Sequence, residues 1–383
     1  MTSNRRLPRR RGGFRPPHCP NPDCPHHRSP EGWHYVRNGF FTRPSDRRRF
    51  RTFLCRHCGR RFSTRTFSPS YWLRRRTLLA SVAAWISEGP ALRQMARVLL
   101  TTHATFARAA SRLGRHCLLF HRQLLESAPD RRPLREPLVI DGFESFEFSQ
   151  YFPFHVNLAA GANSWFLYLF TDAPLRRKGT MTPAQKLRRL ELEARFGRPD
   201  PKAIERSIRA LVREAIELQP QGQPLVLHSD DHPAYARGLR TLRADPACPT
   251  IVHRVTSSRE RRTTSNPLFP VNLTDLRIRH GQANHRRETI AYSKRRQRAL
   301  ERMAVFAVWM NCLKRRREKR DQQTSAMAVG LLDRPLTWRD VLRQRLFPAR
   351  HRLCDAWRAY YRAEVRTAAL GDLQAIHTAR YAA

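Results

Sequence analysis

Two pairs of cysteines constrain this chain more than any other feature. Cys19-x4-Cys24 and, thirty residues later, Cys55-x2-Cys58 form two knuckles that can bring four thiolates to one tetrahedral Zn²⁺ at about 2.3 Å. In the second knuckle, CRHCGRRF, Gly59 permits the turn that points backbone N–H groups at sulfur, and Phe62 is placed to pack beneath the metal. The first knuckle is less regular, with His18, His26 and His27 as rival ligands and free structural cysteines as the plainer alternative. A module of about fifty residues is too small to fold without its metal, so zinc is expected as a folding requirement with no open coordination position. Cys117, Cys248, Cys312 and Cys354 stand singly, which suits a reducing compartment better than a disulfide framework.

Charge narrows the partner. Of 383 residues, 73 are Lys or Arg and 31 are Asp or Glu, a net +42 that points to a polyanion. All but six of the bases are arginine, whose planar fork suits bidentate phosphate contact, although a GC-rich genome gives the same bias. The 40% hydrophobic content is enough for a sizeable core, and the length allows two or three domains. The longest apolar run, Met303 to Met310, falls far short of a membrane span, and the basic N-terminus is not followed by an apolar signal segment, so a cytoplasmic protein is expected.

Composition divides the chain. Residues 1–17 read as a basic disordered arm and 18–68 as the zinc module. Residues 69–130 read as a helical module with Leu78, Leu79, Val82, Trp85 and Ile86 at helical spacing. Within it ALRQMARVLL, a Thr101-Thr102-His103 turn and a second helix from Ala104 to His116 suggest a helix-turn-helix, with Thr102 as N-cap and Arg108, Arg112 and Arg115 as DNA-binding residues. The bland alternative is a helical linker with solvated arginines.

From 135 to 320 strand-like and helical runs alternate, which predicts an α/β domain. PLVIDGFESFEF, FHVNLAAG and SWFLYLFTD read as strands, a helical pair occupies about 176–220, and PLVLHSDD and TIVHRVTSS return to strand. A long helix is expected from Arg286 to Arg317 and further amphipathic helix within 321–383, from Arg334 to Arg380. Asp141 ends the apolar run LVI, where an uncompensated carboxylate is costly, so a cation is expected beside it. Asp230 and Asp231 follow a later strand. Glu288 is expected on the opening turn of the long helix, with Arg295 seven residues on returning to the same face.

In order, NGFF (38–41), CRHCGRRF (55–62), VIDGF (139–143), SDDHPAY (229–235), Asn284, Glu288 and Arg295 resemble the DDE transposases of bacterial insertion sequences. In the members concerned, a zinc ribbon and helix-turn-helix precede an RNase-H-like catalytic domain, a mixed sheet flanked by helices. The resemblance covers about Cys19 to Leu313. It implies catalytic acids Asp141, Asp230 and Glu288 with Arg295 beside them, Asp231 being the alternative to Asp230. It also implies Mg²⁺ (or Mn²⁺) at those acids, structural Zn²⁺, double-stranded DNA ends and target as partners, and a homodimer or higher oligomer in the bacterial cytoplasm. Asp172 receives no role. A DNA-binding regulator with an inactive catalytic domain, or a structure-specific nuclease of the same fold, would share most of these features. The helical pair is either a DNA-contacting or oligomer-forming element or a cover for the sheet.

Overall fold

A computed structural model describes residues 14–373 except Ser45, Glu318 and Arg320; most of the basic arm and the last ten residues lie outside it. The cysteine region forms a three-stranded antiparallel sheet, β1 (Tyr35–Thr42), β2 (Arg49–Cys55) and β3 (Arg61–Ser63). Its aromatics divide by role. Phe53 and Phe62 stack at 5.4 Å in a small core with Phe67 and with Phe347 from near the other end of the chain, whereas Phe40 and Phe41 are exposed and carry Arg49 and Arg51 over the Phe40 ring.

Helices α1 (Leu78–Ile86), α2 (Leu92–Val98) and α3 (His103–Glu126) follow, with Thr102 capping α3 through the Thr105 N–H. Then comes a five-stranded mixed sheet. Strands β4 (Leu138–Phe146), β5 (Pro153–Gly161) and β6 (Leu167–Pro174) form an antiparallel meander, and β7 (Leu225–Ser229) and β8 (Ile251–Val255) run parallel to β4, in the spatial order β6-β5-β4-β7-β8. The helical pair splits by burial. In α4 (Pro183–Phe196) no residue is buried, while α5 (Ala203–Leu218) lays Ile208, Leu211, Val212 and Ala215 against the sheet and packs on α6 (Pro233–Arg243), which links β7 to β8.

Side chains alternate across a strand, so contacts assign the two faces. Asn157, opposite Gly142, reaches Ser207 of α5 at 2.8 Å; Phe143 lies under Arg279 of α7 (Phe269–Gly281) on the other side. Asp141 therefore shares the α7 face. The remainder of that face is closed by α8 (Arg296–Val308), continued by a π-helical turn Trp309–Leu313, and by the C-terminal segment. That segment contains a small hairpin, β9 (Arg315–Arg317) with β10 (Asp321–Thr324), and the short helices α9 (Ser325–Ala328), α10 (Trp338–Val341) and α11 (Asp355–Arg362). On α11, Trp357 packs on Phe170 and donates to its carbonyl at 3.0 Å.

One helical expectation is corrected. The helix expected from Arg286 begins only at Arg296, because turns occupy the preceding segment and it is tied to the chain just past β4: Ser293 forms a parallel bridge with Glu147, and its carbonyl accepts the Phe148 N–H at 3.0 Å. The amphipathic helix expected beyond Arg334 takes the form of short helices, with 374–380 outside the described residues. Helices α3 and α8 share one continuous core with the sheet. They meet at Gly114, where a Cβ would collide with the backbone of Glu301, so only glycine permits that approach. No helix among the described residues is long and apolar enough to cross a membrane.

Candidate functional site

The thiol cluster is built by two turns. After β2, the Gly59 N–H returns to the Cys55 carbonyl at 3.0 Å with Gly59 at φ +69°, a left-handed conformation that glycine adopts without strain. In the first knuckle the Cys24 N–H bonds the Asn21 carbonyl at 3.1 Å. The sulfurs of Cys19, Cys24, Cys55 and Cys58 all lie within 4.8 Å of one another, three of the residues buried, and the group could hold a metal such as zinc. Burial opposes ionisation of Cys55. Backbone hydrogen bonds from Cys58 and His57, and Trp33 Nε1 at 3.2 Å, nevertheless bring its thiol down to about 6, as a thiolate ligand needs. The rival histidines are otherwise engaged: His18 and His27 each donate Nδ1–H to the Cys19 carbonyl, at 2.9 and 2.7 Å, and His26 faces the Ser29 carbonyl.

The carboxylates assemble from the sheet. In the β4–β7 ladder Leu138 pairs with Leu227 and Val139 with His228, an offset of 89 residues, and Asp230 lies 89 residues after Asp141. Two steps beyond the last pair, the register sets Asp141, in the middle of β4, beside Asp230, the residue that follows β7. Burial raises the Asp141 carboxyl to about 6, and the charges of Asp230 and Asp275 add to the shift; the Gly142 N–H, at 2.7 Å, and Arg262 oppose it. The Asp141 and Asp230 charges also reach Tyr235, whose buried hydroxyl is held well above its ordinary value, first by that burial. Asp231 turns away. It is exposed, and hydrogen bonds from the Ser258 Oγ and N–H, both 3.3 Å, lower its carboxyl.

Glu288 is exposed, at φ +51° in a turn before α8, and not on a helix; Arg295 is the N-cap of α8, so the two do not share a helix face. Asp275 on α7 is the acid that sequence reading missed. The signals were present: Pro270 at a helix start and an Asp275–Arg279 pair one turn apart, now an ion pair of 3.0 Å. Asp172 has a structural task, accepting from Tyr360 Oη at 2.6 Å and pairing with Arg296 at 3.0 Å.

Among the expected DNA-binding arginines only Arg108 is exposed. Arg112 is buried and donates to the Pro69 carbonyl at 2.7 Å, and Arg115 is buried against Glu301 at 3.6 Å. Both are corrected to core residues, because α3 packs along α8 from Phe106 onward and only its first turns face outward. No protein-family model matches the chain, and a search of curated proteins finds no match.

Proposed function

We propose that the chain is a DDE-type transposase, with an RNase-H-like catalytic domain that cleaves and joins DNA strands. The observation that carries this reading is the register that sets Asp141 of β4 beside Asp230 at the end of β7, with a third carboxylate, Asp275, near enough for its charge to act on Asp141. Spatial order β6-β5-β4-β7-β8, antiparallel then parallel, is the arrangement an RNase-H-like sheet calls for. Carboxylates whose charges act on one another, one of them raised by burial and by its neighbours' charge, suit a hard oxygen-seeking cation. Magnesium or manganese bound there would lend charge to the reacting phosphodiester and lower the pKa of an attacking hydroxyl or water. Asp141 and Asp230 hold the cation. Asp275 adds charge from α7, while Glu288 stands on an exposed segment that contact with DNA could bring in.

For DNA binding, α2 and α3 form the helix-turn-helix, and its reading surface is the α3 N-terminus. Thr102, His103 and Arg108 are exposed there, with Arg75 and Arg97 across a shallow groove. Such helices present their N-terminal residues to base edges. The cysteine module supplies further phosphate contacts through its exposed arginines.

The test is cleavage of the DNA flanking the reading frame, with Mg²⁺. Asp141→Ala and Asp230→Ala each abolish cleavage while binding to the ends persists. Asp275→Ala and Glu288→Ala, run in parallel, identify the third acid by which of them abolishes it. Metal-dependent cleavage surviving both Asp141→Ala and Asp230→Ala overturns the assignment. Binding without cleavage in the wild type favours the inactive regulator, a reading supported by the exposed position of Glu288 and the Arg279 pair on Asp275.

A further inference from the structure

Between the cysteine module and α1 lies a cleft of about 770 Å³, reached by neither the thiol cluster nor the carboxylates. Arg43, Arg60, Arg61, Arg65, Arg74 and Arg345 line it, and no carboxylate is among its lining residues. Asp46 holds Arg43 at the rim, and Arg65 donates to the Ser70 carbonyl at 3.1 Å. The other feature is aromatic. Trp72 lines the cleft, is 63% exposed and sits at φ +65°, a left-handed conformation that a bulky residue seldom adopts. Phe41 lines it as well and is 39% exposed. A large indole left in solvent by a strained backbone contributes little to the core, and strain of this kind gathers at ligand sites.

We infer that this cleft binds an unpaired nucleotide of a DNA strand, its base stacked on Trp72 and its phosphates held by the arginines. The inference rests on the DNA-binding part of the proposed function and extends it to single-stranded DNA. Aromatic faces combined with guanidinium groups are how proteins hold single strands without reading sequence. The cleft falls in the roughly 300–1,000 Å³ range of small-ligand sites, enough for a base with its sugar and too small for a duplex. An acidic protein segment would use the arginines and leave the indole idle.

The experiment uses the full zinc-loaded chain and two probes, a fluorescent single-stranded 15-mer and a blunt duplex of the same sequence. Trp72→Ala is expected to weaken single-strand binding about 5- to 100-fold, the worth of one stacked base. Duplex binding should change less than about twofold, Trp72→Phe should keep part of the single-strand affinity, and 2-aminopurine in the 15-mer should be quenched by the wild type alone. Because Trp72 is exposed, a thermal melt separates lost stacking from lost folding. Equal single-strand affinity in Trp72→Ala and wild type, or displacement of the 15-mer by polyglutamate as readily as by unlabelled 15-mer, overturns the inference. Failure of the blunt duplex to bind overturns the helix-turn-helix reading alone, and the cleft is then judged on the single strand.

Discussion

The thiols and the carboxylates are brought together in opposite ways. The four thiols converge within 4.8 Å through turns that lie next to them in sequence; hydrogen bonds from neighbouring backbone groups favour the thiolate of Cys55, while burial raises Cys19 and Cys24. The carboxylates come from a strand, the turn after another strand and a helix, spread from residue 141 to residue 275, and they leave Asp141 raised to about 6. A ligand set completed by the chain alone serves folding. Negative charges brought together without a full ligand set raise the energy of the apo-protein, and that energy is recovered when a cation or substrate arrives.

The sharpest way to break the comparison is at the thiols. The cysteine module buries a core of only a few aromatics, one of them Phe347 from the distant C-terminal segment. Structural zinc contributes about 10–16 kcal/mol in isolated modules of this size. Cys55→Ser should therefore reduce zinc content from one per chain to near zero and remove a separate low-temperature step from thermal unfolding. Full zinc retention, measured by atomic emission on dialysed protein, would show that the thiols are inert core residues.

How legible these regions were follows from the same difference. Cysteine spacing is local, so Cys19, Cys24, Cys55 and Cys58 could be read from the chain directly, as could the five strands of the main sheet with their apolar runs. Asp141 was legible because a carboxylate ending LVI conflicts with its surroundings. Asp275 was not: an exposed-looking helical Asp beside an Arg reads as a surface ion pair, and only folding turns α7 toward Asp141. Tertiary contacts also overrode the helical pattern after Arg286, where the Ser293 bridge to Glu147, just past β4, outweighs local propensity. In α3 the arginine spacing suggested a solvated reading face. The burial of Arg115 depends on Glu301, 186 residues away, which no window of sequence contains.

That contrast within α3 provides the next largest effect. Glu301 is buried and accepts from Ser111 at 2.7 Å, from Gln297 at 3.0 Å and from Arg298 at 2.7 Å, with Arg115 beside it. Removing one member of a buried charge pair typically costs about 3–5 kcal/mol, and less is expected here because Glu301 keeps its pair with Arg298 at 2.7 Å. Arg115→Ala should unfold several degrees lower, whereas Arg108→Ala, on the exposed first turns, should leave the melting temperature nearly unchanged and weaken duplex binding. The reverse pattern, read by calorimetry and fluorescence anisotropy, would restore Arg115 to a DNA-facing role.

The smallest effect has the most telling sign, because it concerns a substitution expected to stabilise. The Asp141 carboxyl lies at about 6 in the folded chain against an ordinary 3.8, so the native state holds its proton more tightly than the unfolded state does. Stability from this group is then full below pH 3.8 and declines as pH rises to about 6; above that the ionised carboxylate costs up to about 3 kcal/mol. Asp141→Asn removes that charge and keeps the shape, so it should raise the melting temperature by a few degrees at pH 8 and leave it unchanged near pH 4. Magnesium should raise the melting temperature of the wild type at pH 8 and not that of the variant. An equal shift at both pH values would mean that packing, not charge, governs Asp141. The carboxylates would then be as self-sufficient as the thiols, and the distinction between the two regions would fail.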